Sequence, residues 1–192
     1  MGQISNHKLQ ITNISRYRLV LPYIGLPIIV AALLFVRLTR TEPFNLLLYE
    51  LIIVFGYAAA ILDLKTKRIP NSIVLAMFAA WVFTMTPMLF VDTGAAVALL
   101  KDSALGLAIG GGLFLLVYMI SRKGLGGGDV KFMAVTGLYL GFGGILPVMF
   151  CGTVLAAITG LALIMLKKIG RKDAMPLAPF LYIGILITVF LS

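Results

Sequence analysis

The chain has 192 residues, of which 61% are hydrophobic and 12% charged, with a mean hydropathy of +1.08; these values exclude an ordinary water-soluble domain. The net charge of +9 does not signify nucleic acid, because the basic residues are dispersed between apolar segments rather than gathered into a patch. A single cysteine, Cys151, excludes a disulfide framework and a Cys-x-x-Cys zinc site.

Taken in order, residues 1–18 form a polar, basic tail, expected on the cytoplasmic side. The next segment, 19–43, holds an apolar helix over Leu19 to Leu38, kinked at Pro22 and Pro27, and lacks a small-residue cleavage site; it reads as a retained helix rather than a removed leader. Further helices are expected over Phe44–Leu62, Ile73–Val91, Ser103–Ile120, Val130–Leu140, Ile145–Leu166 and Leu177–Leu191. The fold class is therefore an all-α polytopic membrane protein of about seven helices, one of them short. Val130–Leu140 falls well short of about 30 Å at 1.5 Å per residue, and Gly141-Phe142-Gly143-Gly144 ends it abruptly. A partial helix covered by protein or facing a water-filled cavity fits, since irregular backbone is tolerated at membrane depth only there.

Orientation follows from the cations. With the N-terminus inside, the cytoplasmic loops carry Lys8, Arg16, Arg18, Lys65, Lys67, Arg68, Arg122, Lys123, Lys131, Lys167, Lys168, Arg171 and Lys172, leaving only Arg37, Arg40 and Lys101 elsewhere. That places two aspartates, Asp63 and Asp129, on the same face, each where an apolar stretch meets a short loop. Carboxylates beside hydrocarbon are costly to keep ionised, so their retention points to use.

Asp63 opens the run Asp63-Leu64-Lys65-Thr66-Lys67-Arg68-Ile69-Pro70-Asn71, in which a basic turn leads into the next helix; Asn71 and Ser72 are the expected N-caps. Alone, Asp63 also fits an interfacial acid paired with Lys65 or Lys67. Asp129 ends Gly124-Leu125-Gly126-Gly127-Gly128-Asp129, whose glycines permit a sharp turn that carries the carboxyl inward. A phosphate loop does not match the spacing, and a carboxylate is out of place at the centre of an anion cradle; a plain glycine linker is the other reading. Two carboxyls a few ångströms apart cannot both ionise easily and share a proton. One then takes a proton from water while the other hydrogen-bonds the scissile carbonyl, giving hydrolysis without metal, cofactor or covalent intermediate.

Asp63 with Arg68-Ile69-Pro70-Asn71, followed by Gly126-Gly127-Gly128-Asp129-Val130-Lys131, resembles the prepilin peptidase family of membrane aspartic peptidases, which carry a Gly-x-Gly-Asp motif. The similarity covers about residues 45 to 192, making 44–192 the expected membrane-embedded peptidase domain. Pro176-Leu177-Ala178-Pro179-Phe180 resembles the family's segment before its last helix, with Leu177 and Ala178 where Phe and Gly are commoner. The resemblance implies Asp63 and Asp129 as the catalytic pair, with Gly126, Gly128, Lys131, Arg68, Pro70 and Asn71 shaping the site or meeting substrate. It implies a multi-pass protein of the inner membrane, its site facing the cytoplasm. There it would cut the basic leader from type IV pilin-like or pseudopilin precursors just ahead of their apolar helix. Lys131 and the Lys65 to Arg68 run could meet an acid of the substrate, although basic loops repel a basic leader and serve topology first. Longer relatives add paired cysteines and methylate the new N-terminus; without such a pair, a peptidase lacking methyltransferase activity is expected.

Other readings stay open at this stage. Presenilin and signal peptide peptidase relatives share Gly-x-Gly-Asp but place Tyr before the first acid, where this chain has Leu62, and Pro-Ala-Leu near the end. A cation or proton transporter would use Glu50, which otherwise reads as a carboxyl hydrogen-bonded to a neighbouring helix. A structural subunit would use Gly106, Gly110, Gly111 and Gly112 as a packing face, but such glycines pack helices in any membrane protein. His7 reads as part of a solvated tail, and Trp81 as packing or an interfacial anchor. The expected surroundings are lipid and protein substrate, with no nucleic acid; the oligomeric state is left open.

Overall fold

The computed structural model describes residues 25–34, 42–121, 125–168, 170 and 175–192. The tail over 1–18, Pro22, the outer parts of the 19–43 segment, Arg122, Lys123, Gly124, Arg171 and Lys172 lie outside the described residues. The chain divides into two units, Met1–Thr41 and Glu42–Ser192. The first contributes the short apolar helix α1 (Gly25–Leu34), with Pro27 in its first turn.

The second unit holds α2 (Pro43–Thr66), α3 (Asn71–Val91), α4 (Thr93–Ile120), α5 (Gly127–Met165) and α6 (Ala178–Leu191). Helices α2 to α5 are each long and apolar enough to cross a membrane. At 24 residues and about 1.5 Å per residue, α2 alone reaches roughly 36 Å. The protein is thus an all-helical, multi-pass membrane protein, and large side chains such as Phe83, Phe90 and Ile120 face outward because lipid is as apolar as they are.

The expected partial helix is the first part of α5. Helical geometry breaks at one residue, Gly141, with φ +64° and ψ −171°. The expectation of a four-residue glycine end is corrected: Phe142, Gly143 and Gly144 already belong to the second part. The break survives because Asp102 of α4 acts as a cap in mid-bundle, its Oδ1 accepting the Phe142 N–H at 3.2 Å. An interrupted helix leaves amides unpaired, and a carboxylate from the adjoining helix answers one of them.

That adjacency rests on small residues. Gly106 and Gly110 of α4 face Gly137, Gly141 and the Met133 carbonyl of α5, two small-xxx-small pairs that bring backbones together. A methyl group at Gly106 would collide with the Gly137 carbonyl, and one at Gly111 would stand 2.9 Å from Ala134 Cβ; Gly112, counted with them in the sequence, has nothing within 4 Å. Around this seam α5 buries Phe132, Met133, Leu138 and Ile145. Tyr139 ties α5 to α3, its hydroxyl donating to the Met77 carbonyl at 2.7 Å. On the other side α6 packs against α2 and α5, with Tyr182 over Gly56 and Leu181 over Gly152.

Trp81 is buried and belongs to the core rather than an interfacial belt; its indole nitrogen has no partner among the described residues. Glu50 Oε1 is buried and likewise has no partner among the described residues.

Candidate active site

Both acids occupy helix ends. Asp63 lies three residues before the end of α2, and the chain leaves that helix through Lys67, which takes the left-handed conformation (φ 53°) and returns its amide to the Asp63 carbonyl at 2.7 Å. The Thr66 hydroxyl, within bonding distance of the Leu62 and Arg68 carbonyls, braces the same turn. Ile69 is then buried and Pro70, not Asn71 or Ser72, occupies the N-cap of α3 with no side-chain cap. This corrects the capping expectation: the Asn71 side chain is used elsewhere, its Oδ1 accepting from Lys131 Nζ at 3.0 Å.

Asp63 is buried, with 4% of its surface exposed, and accepts the Ala178 N–H at 3.0 Å from the start of α6. Asp129 sits in the first turn of α5, where its Oδ2 accepts the Gly126 N–H at 3.2 Å. Each carboxyl therefore faces the amide-rich N-terminus of a helix, where negative charge is favoured. The two are close enough to interact electrostatically.

A cavity of about 320 Å³ unites them. It is lined by Asp63, Lys67, Arg68, Ile69, Asn71 and the run from Gly126 to Asp129. Of the residues singled out in the sequence, Asp63, Asp129, Gly126, Gly128, Arg68 and Asn71 meet there; Pro70 and Lys131 do not line it. Gly126 leaves room for the carboxyl, since a methyl group there would stand 2.8 Å from Asp129 Oδ2. Gly128 lets the Ile69 backbone approach, a methyl group there falling 3.1 Å from the Ile69 carbonyl. Asp129 Oδ1 is buried and has no hydrogen-bond partner among the described residues.

The sequence missed one contributor. The backbone amide of Ala178 seats Asp63, yet a main-chain donor has no residue type to advertise it. The only available signal was the proline-flanked start of α6.

Residues 50–161 match the type IV leader peptidase family. The chain belongs to that family. Among its relatives are three prepilin leader peptidase/N-methyltransferases. The one from Legionella pneumophila is 30% identical over 129 residues, covering 67% of this chain and 44% of the relative. That of Bacillus subtilis is 28% identical over 127 residues, 65% of this chain and 48% of the relative. That of Burkholderia pseudomallei (strain 1026b) is 30% identical over 147 residues, 71% of this chain and 45% of the relative. The chain spans less than half the length of these curated relatives. No solved structure matches it. Both Asp63 and Asp129 fall within the stretch matched to the leader peptidase family.

Proposed function

We propose that this family member is an aspartic endopeptidase that removes the basic leader from type IV pilin-like precursors, with Asp63 and Asp129 activating the attacking water. The observation that carries this is the cavity lined by both carboxyls, one held by the Ala178 amide at the start of α6 and the other by the Gly126 amide at the start of α5. The ionised member of the pair takes a proton from water as the water oxygen bonds to the scissile carbonyl carbon. The protonated member hydrogen-bonds the carbonyl oxygen, and a proton then passes to the amide nitrogen as the carbon–nitrogen bond breaks. Such transfers strengthen where water is scarce and dipoles are fixed in advance.

The cation distribution supports an inner-membrane protein with this cavity on the cytoplasmic side. The peptidase domain is assigned to 44–192, with 1–18 as a cytoplasmic tail and 19–43 as an additional helix and loop. Lys67 and Arg68 at the rim, with Pro70 setting the turn into α3, shape the approach. The peptidase half of the activity named for the relatives is what a two-carboxyl cavity supports.

The test uses the purified protein in lipid vesicles with a precursor carrying a lysine-rich leader and an apolar helix. Wild type is expected to release the leader, while Asp63→Asn and Asp129→Asn, folded normally, release none. Cleavage at the wild-type rate by either variant would remove that aspartate from the mechanism.

A further inference from the structure

Beside the aspartate cavity lies a second hollow of about 480 Å³, and the two share one residue, Asn71. Its walls are two helical stripes: Asn71, Leu75 and Phe78 on α3, spaced i, i+4, i+7, and Lys131, Ala134 and Val135 on α5, spaced i, i+3, i+4. Such spacings place side chains on one face of each helix, and this pattern is how a groove receives another helix. Val74 and Val135 are buried beneath it, whereas Leu75 and Phe78 remain 67% and 43% exposed. Where the hollows join, Lys131 Nζ donates to Asn71 Oδ1 at 3.0 Å, so the boundary is polar, and apart from Ser72 the lining beyond it is apolar.

The order of chemistry along this trough is directional. Lys67, Arg68, Asp63 and Asp129 line the first hollow, Asn71 of the Lys131–Asn71 bridge belongs to both, and the second runs along α3 to Phe78, about 10 Å further down the helix axis. A polypeptide lying along it has polar residues at the rim, the bond to be cut between the carboxyls, and apolar residues against Leu75 and Phe78. Resting on the peptidase reading above, we propose that the α3–α5 groove holds the first two or so turns of the substrate's apolar segment, and that Lys131 and Asn71 mark where its polar part ends. Cleavage position is then set by a hydropathy boundary in the substrate registered against that bridge. A lipid chain alone would need neither continuity with the carboxyls nor a polar bridge at the junction. The apolar hollow at the other end of α3, around Phe83 and Pro87, has neither.

The test places the photo-crosslinker p-benzoylphenylalanine at Phe78 or, as a control on the same helix, at the 80% exposed Phe83. The full chain, in lipid vesicles and carrying Asp63→Asn and Asp129→Asn to leave the precursor whole, is irradiated with a synthetic precursor of lysine-rich leader plus apolar segment. Position 78 is expected to crosslink to the first turns of the apolar segment roughly tenfold more than position 83, the preference vanishing when that segment is made polar. Equal adducts at both positions, or adducts at 78 only with lipid, with the leader or with residues 25–34 of the chain itself, would overturn the assignment. In parallel, Leu75→Trp, at a 67% exposed position on the groove wall, is expected to raise KM for the precursor about tenfold with kcat changed less than about twofold; an unchanged KM counts against the groove. The two readings fail separately. Loss of the crosslink in a protein whose wild type still cleaves refutes the groove, and a retained crosslink without wild-type cleavage refutes the peptidase chemistry.

Discussion

Ala178 and Asp63 lie 115 positions apart in the chain, yet the amide of the first hydrogen-bonds the carboxylate of the second at 3.0 Å in a buried setting. The start of α6 is thereby part of the candidate site, and the Asp63 carboxyl is held by backbone rather than by a side chain. A hydrogen bond to a charged group contributes about 1.5–3 kcal/mol, so the consequence is measurable. Exchanging Ala178 for its α-hydroxy analogue, lactic acid, turns the donating amide into an ester and leaves the side chain unchanged. Leader release is expected to fall about ten- to a hundredfold in kcat/KM with helix content by circular dichroism unchanged; a variant as active as wild type would show the amide to be incidental.

The three glycines before Asp129 differ in what surrounds them. A methyl group at Gly126 meets the Asp129 carboxylate at 2.8 Å, one at Gly128 meets the Ile69 carbonyl at 3.1 Å, and one at Gly127 meets nothing within 4 Å. Substitution by alanine is expected to cost activity in the order Gly126, Gly128, Gly127, with roughly tenfold or more for the first and less than about threefold for the last, by analogy with other displacements of reacting groups. Initial rates on one precursor would rank them, and a Gly127→Ala loss equal to that of Gly126→Ala would contradict the crowding argument.

At the mid-bundle break, Gly141 has φ +64°, and a methyl group there would run into the Asp102 carboxylate. Gly141→Ala therefore combines backbone strain with a clash and is expected to destabilise the bundle by about 2 kcal/mol or more. Asp102→Ala loses only the acceptor for the Phe142 amide and should cost about 1 kcal/mol, in the range of lost helix caps. Unfolding in mixed detergent would show both, the glycine variant being the worse; the reverse order would mean that the cap, not the conformation, sustains the break.

The glycine seam between α4 and α5 makes a paired prediction. Gly106→Ala puts a methyl group against the Gly137 backbone and should lower the unfolding midpoint clearly, whereas Gly112→Ala faces open space and should stay within about 0.5 kcal/mol of wild type. Equal stabilities would disprove the close approach of the two helices.

Much of this protein was legible before any coordinates. Hydropathy alone marked α2, α3, α5 and α6 to within a few residues, because in lipid an apolar run of sufficient length has no alternative to a helix with its own backbone paired. Helix α4 begins at Thr93, ten residues before the expected Ser103: the Asp92 side chain caps it by accepting from the Ala95 amide, and Lys101 and Asp102 are carried inside the helix. Charge in the middle of a helix reads locally as a boundary, and only the neighbour that Asp102 caps explains its place.

Asp63 and Asp129 stood out as acids in a chain with few of them, and glycines before Asp129 announced a tight turn. What tertiary structure decided is every relationship between segments distant in sequence: the two carboxyls lining one cavity, the Ala178 amide behind Asp63, the Asn71 side chain given to Lys131 instead of a cap, and the Asp102 acceptor that turns a glycine cluster into a single-residue break. Residue type and spacing govern which elements form, since those energies are local. Which donor reaches which acceptor depends on how helices pack, and that is set by the summed contacts of the whole bundle, not by any one stretch of the chain.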